Sequence, residues 1–151
     1  MSKRETQMTR WYWNQVGGTL IEEFPAVVRG SNQGRRLLDG VIVLGEENRI
    51  ANSSEVVLAG KDIIIVQSKN SRLGMCLMGR TLFSIELMRG FNPRTIKSIA
   101  LCAKDDNVLR PLLERFPECT VVVCPREICR LTARPRRGLG RRNPEPGAIA
   151  D

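Results

Sequence analysis

The sequence predicts an α/β domain with a central mixed β-sheet flanked by helices, and three observations carry that prediction. The 151-residue chain is 42% hydrophobic, enough for one packed core of ordinary size. Ile63, Ile64, Ile65 and Val66 place β-branched side chains in a row, as a strand covered on both faces requires. From 63 to 124 the pattern runs strand, helix, strand, helix, strand, which calls for crossover connections and therefore parallel neighbours.

In chain order, Trp11, Tyr12 and Trp13 read first as anchors packing an N-terminal helix onto the sheet, with stacking on unpaired bases as their other use. Residues 19–24 read as a helix or helix end stopped near Pro25 and broken from what precedes by Gly17-Gly18. Residues 31–34 are turn material, and 36–44 (RLLDGVIVL) are a strand. A hairpin-like excursion follows, with a short strand around 55–58. Residues 63–69 (IIIVQSK) are the next main strand. Residues 73–88 are apolar at 75, 78, 82 and 85 and elsewhere too, the mark of a helix packed on more than one side. A strand over 96–102, a helix over 106–116 capped by Asp105 or Asp106, and a strand over 120–124 complete the domain, here bounded as 1–125. A short helix over 126–132 opens the remaining segment, 126–151, whose Arg, Pro and Gly content predicts a basic arm largely disordered in isolation.

Composition removes whole mechanisms. The chain has no histidine, so Ser-His-Asp and Cys-His catalysis, HExxH zinc sites and His proton shuttles are excluded. Its five cysteines lack the CxxC pairs of a zinc ribbon and read as reduced core thiols. The apolar runs are a few residues long, against about 20 for a membrane span. With a polar start and no signal-peptide pattern, the expected location is cytoplasmic. A net charge of +8 points to a polyanionic partner, and residues 126–142 alone carry +6 of it.

Polar residues interrupt the two early strands. Asp39 shares a face with Val41 and Val43, and Gln67 shares one with Ile65 and Lys69, by the period of two. Taken singly, Asp39 also reads as a strand-end aspartate paired with Arg35 or Arg36, and Lys69 as a solvated strand-end lysine. Together, at neighbouring strand ends, they bring a carboxylate, an amide and an ammonium to one place, with Glu22 or Glu23 able to add a second carboxylate.

The order of a Glu on a first helix, then a strand carrying Asp39, then a strand ending Gln67-Ser68-Lys69, then a helix, resembles the PD-(D/E)XK nuclease superfamily, which includes restriction endonucleases and archaeal Holliday junction resolvases. The resemblance covers residues 19–104. It implies a restriction-endonuclease-like core and a Mg²⁺- or Mn²⁺-dependent DNA endonuclease, with a non-catalytic nucleic-acid-binding module of the same fold as the alternative. By the family pattern Asp39 binds the metal, Gln67 stands at the second acidic position, Lys69 is the family lysine and Glu22 or Glu23 the helix-borne glutamate. Two departures matter: no proline precedes Asp39, and Gln67 replaces an acid. The metal set would be Asp39, Gln67, the Ser68 carbonyl and Glu22, a hard-oxygen set of the kind Mg²⁺ accepts. Arg72 and Arg80, eight residues apart and read as one helix face, would hold phosphates next to this edge. Arg134, Arg136 and Arg137 would hold phosphates from the arm. DNA is the expected partner, and the resemblance allows a homodimer, since related nucleases pair to cut two strands.

Overall fold

The computed structural model describes residues 1–130. Ser2 caps the first helix, α1 (Lys3–Val16), in a reciprocal box with Glu5: the Glu5 N–H donates to Ser2 Oγ and the Ser2 N–H to Glu5 Oε1, each at 3.2 Å. Gly17 and Gly18, at φ 76° and 89°, end the helix and reverse the chain. At Gly18 a Cβ would lie 2.5 Å from the Val43 carbonyl oxygen, so glycine is also required by space.

The chain then enters β1 (Thr19–Val27), where the sequence suggested helix. Pairing overrides the helix-forming Glu22-Glu23: β1 runs antiparallel to β2 (Arg36–Val43) from Thr19↔Val43 to Val27↔Arg36. Pro25 is tolerated because the neighbour on the other side, β3 (Arg49–Ile50), pairs only with Thr19 and Leu20. Ile21 and Phe24, three apart, both reach the same core; the left-handed kink at Glu23 (φ 50°) switches the face. The short strand expected around 55–58 lies instead at β3, and Ser53–Glu55 forms a single 3₁₀ turn.

The rest follows the expected order. It comprises β4 (Asp62–Arg72), α2 (Met75–Arg89), β5 (Thr95–Lys104), α3 (Leu109–Leu113), β6 (Cys119–Val123) and α4 (Arg126–Arg130). The helix expected over 106–116 is shorter. Asp106 Oδ1 accepts the Val108 and Leu109 N–H groups at 2.9 and 2.8 Å, which makes residues 106–108 its capping loop, and Pro117 disfavours helix at Phe116. Asp105 instead binds Arg110 at 2.8 Å. Arg72 closes β4 and does not belong to the following helix.

The six strands form one mixed sheet in the order β3-β1-β2-β4-β5-β6, with β4, β5 and β6 parallel and β2 antiparallel to both neighbours. On β4, Ile63 and Ile65 face α2 while Ile64 and Val66 face α1, so the β-branched run is buried on both sides. Each such side chain is worth about 1.5–3 kcal/mol of burial. Trp11, Tyr12 and Trp13 are partly buried against the α1-side core, the packing role expected of them, and Trp13 Nε1 donates to Gly18 O at 2.7 Å. Cys102, Cys119, Cys124 and Cys129 are buried free thiols; burial pushes Cys102 and Cys119 up to about 11 and Cys124 up to about 12. Cys76 departs from the core-thiol expectation and is exposed. Among the described residues no helix is long and apolar enough to cross a membrane.

Candidate active site in the fork between two strands

The ladder between β2 and β4 runs from Val43↔Ile63 to Gly40↔Val66 and ends there. Beyond that point β2 stays paired with β1, and β4 with β5, so the sheet forks. Two side chains fill the opening in place of ladder bonds. Asp39 Oδ2 accepts the Ser68 N–H at 2.8 Å, and Gln67 Oε1 accepts the Asp39 N–H at 3.4 Å. Asp39 is 6% exposed and Gln67 2%. A buried carboxylate and amide at such a break satisfy backbone groups that would otherwise be orphaned.

Arg80, reaching from α2, completes the cluster. Its Nη2 donates to Asp39 Oδ2 at 3.1 Å and to Gln67 Oε1 at 2.9 Å, so both oxygens converge on one positively charged nitrogen. The Gln67 amide is turned that way because its Nε2 donates to Ser84 Oγ at 2.8 Å, one helical turn along from Arg80. Asp39 therefore pairs with Arg80 and not with Arg35 or Arg36. From the α1 side, Thr9 and Ser68 share a 2.7 Å hydroxyl contact, which ties that helix to the same stretch of β4.

Burial pushes the Asp39 carboxyl above its ordinary value; the Ser68 N–H, the Arg80 guanidinium and the chain's N-terminal ammonium pull it down, while the charge of Glu5 pushes it further up.

The sequence-predicted residues separate into those the fork gathers and those it does not. Asp39, Gln67 and Ser68 meet there. Lys69 lies two residues beyond Gln67 on β4, its backbone paired opposite Cys102 and its side chain exposed, with no side-chain hydrogen bond or ion pair among the described residues. Arg80, expected at the edge, is at the centre. Glu22 is on a strand and not on a helix. It stands opposite Gly40, where a Cβ would meet Thr9 and Leu20, and Arg10 of α1 holds its carboxylate in two bonds of 2.7 and 2.9 Å. Glu23, at the kink, lies 3.7 Å from the N-terminal ammonium. Arg72 donates to the Asp105 carbonyl at 2.7 Å, away from the cluster. Arg134, Arg136 and Arg137 lie outside the described residues.

Glu5, Thr9 and Ser84 were missed. The first two were within reach, because Ser2-x-x-Glu5 is a capping-box signature that starts a helix at Lys3 and puts Glu5 and Thr9 one turn apart on it. Ser84 carries no such signal, being one serine in an apolar helix.

The donor chemistry suits a hard divalent cation. Two oxygens, one charged, point at a common position already held by a positive group, and such a cation keeps waters and takes its remaining ligands from a phosphate. Among the described residues no three Asp, Glu, Cys or His side chains form a cage, so any cation here would lean on its substrate. The Arg80 side chain is 44% exposed on the helix surface. Comparison of the chain with protein-family models, curated proteins and solved structures finds no match.

Proposed function

We propose that the fork is the active edge of a metal-dependent DNA endonuclease with a restriction-endonuclease-like core, of the PD-(D/E)XK kind. The observation that carries the reading is the convergence of Asp39 Oδ2 and Gln67 Oε1 on one point, with Lys69 two residues further along the same strand. Asp39 and Gln67 would hold Mg²⁺ or Mn²⁺, with the Glu5 charge close by in place of the glutamate expected at Glu22. When bound, the cation supplies Lewis-acid polarisation of a phosphate oxygen and a more acidic water.

The chain's own residues do the remainder. The Ser68 N–H orients the Asp39 carboxylate, and Ser84 fixes the Gln67 amide with its oxygen forward. Lys69, whose ammonium has no ion pair among the described residues, would orient the attacking water or offset charge on the phosphorane-like transition state. Arg80 neutralises Asp39 until a substrate phosphate draws the guanidinium off, and then clamps that phosphate.

The test is cleavage of supercoiled and branched DNA with Mg²⁺ or Mn²⁺ and with EDTA, by the wild type and by folded Lys69→Ala. Metal-dependent cutting lost in the variant supports the assignment; equal cutting by both removes Lys69 from it. A second reading, a nucleic-acid-binding module without cleavage, is favoured by Arg80 standing where a cation would stand. Gln67→Glu separates the two. A working metal site gains Mn²⁺ affinity and Mn²⁺-dependent thermal stability, whereas a binding module gains only a second buried carboxylate and melts lower with or without Mn²⁺.

A further inference from the structure

The fork opens into a groove of about 520 Å³ between α2 and the start of β2, a size that suits a ligand of nucleotide dimensions. Gln67 and Ser84, both buried, lie at its base, so the groove begins where the proposed chemistry ends. Its sides are apolar: Leu37, Met75, Phe83 and Leu87 line it, with Met75 76% and Phe83 66% exposed. Arg36 and Arg80 are its charged residues, and no acidic side chain lines it among the described residues. A Cβ at Gly79, on the helix wall, would meet nothing within 4 Å, so the wall is bare there.

An exposed phenylalanine in an apolar slot, edged by two guanidiniums and continuous with a phosphate-directed site, has the chemistry that receives a base while its phosphate is held outside. We infer that this groove binds one unstacked nucleotide of the substrate, with the base against Phe83 and its phosphate between Arg36 and Arg80. The inference rests on the nuclease reading and names its substrate class: DNA carrying unpaired nucleotides, as at a single-stranded end, a flap or a branch point. Charge argues against a second copy of this chain as the occupant, because pairing two such grooves brings arginines together, whereas a phosphodiester brings the opposite charge.

The test uses the full chain in EDTA with an oligonucleotide bearing 2-aminopurine, unpaired in one substrate and within a full duplex in the other. Phe83→Ala removes the stacking ring from an exposed position, and Gly79→Leu fills the groove from a helix site with open space above it. Both variants should weaken binding of the unpaired substrate about tenfold and leave duplex binding within twofold. The 2-aminopurine fluorescence quenched by the wild type should recover in both. Equal losses on the two substrates, or no quenching by the wild type, would overturn the groove assignment and leave the nuclease reading standing if DNA is still cut with metal. A wild-type dimer that Phe83→Ala dissociates in sedimentation would reassign the face to self-association. Absence of binding to either DNA would overturn both proposals.

Discussion

Asp39 is held in a place that costs stability. A carboxyl raised by burial is neutral more readily in the folded than in the unfolded chain, so its contribution is fully present below the unfolded carboxylate value and is lost as pH rises through the raised folded value. Asp39→Asn, which can still accept the Ser68 N–H, should therefore melt at or above the wild-type temperature at neutral pH. The advantage of the variant should shrink on acidification toward the ordinary aspartate range, as melting curves from pH 4 to 8 would record. The same variant should lose at least about a hundredfold in cleavage, because the charge that would hold the cation is gone. Cation binding runs the opposite way with pH: it needs the ionised carboxyl and should strengthen as pH rises through the raised Asp39 value. Arg80 competes for the same oxygens. At pH 8, Arg80→Ala should bind Mn²⁺ about fivefold tighter, reflecting the ~1 kcal/mol that a half-exposed ion pair is worth, while its cleavage falls for want of the phosphate clamp. In the same variant the Asp39 carboxyl, followed by NMR, should titrate higher than in the wild type.

The elements were legible where local pattern and tertiary context agree. β4 announced itself through four β-branched residues buried on both faces, and α2, β5 and β6 through period and flanking turns. The first part of the chain was not legible in this way. Residues 19–24 contain helix-forming glutamates, and only the long-range ladder to β2 makes them a strand; at Glu23 even the alternation is broken by a left-handed residue. Glu22 and Glu23, expected on a helix beside Asp39, therefore stand on β1 instead. Two substitutions settle which carboxylate matters. Glu5→Gln keeps the capping box and removes only the charge, so it should leave the melting temperature nearly unchanged and lower Mn²⁺ affinity. Glu22→Gln breaks the paired bonds from Arg10 and should cost about 1 kcal/mol of stability with cleavage within twofold. The hinge that sends the chain into β1 makes its own prediction. Gly18→Ala must adopt φ near 89° against the Val43 carbonyl, and should destabilise by more than about 1 kcal/mol in denaturant unfolding.

Among the described residues, a six-stranded sheet is covered on one face by α1 and α4 and on the other by α2 and α3, and it forks where β2 and β4 part. The strands that carry Asp39, Gln67 and Lys69 could be read from the sequence, but Arg80 at the centre could not, because its placement depends on how far α2 lies from the strand ends. Residues 126–142 carry seven arginines and one acid, and each phosphate they neutralise steepens the dependence of log affinity on log salt by about 0.9. Truncation after Ala133 removes five of those arginines, and should flatten the salt slope by up to about 4 units while metal-dependent cutting at low salt persists. An unchanged slope would give the arm another partner. Calorimetric titration of Mn²⁺ into the wild type and Asp39→Asn at pH 8, with a DNA substrate present and its cleavage measured on the same samples, decides whether the fork is a metal site serving hydrolysis. The wild type should bind Mn²⁺ and cut, and the variant should bind none and cut at least about a hundredfold more slowly; a wild type that binds no Mn²⁺ in the presence of DNA, or a variant that cuts at a rate close to the wild type's, would contradict that role.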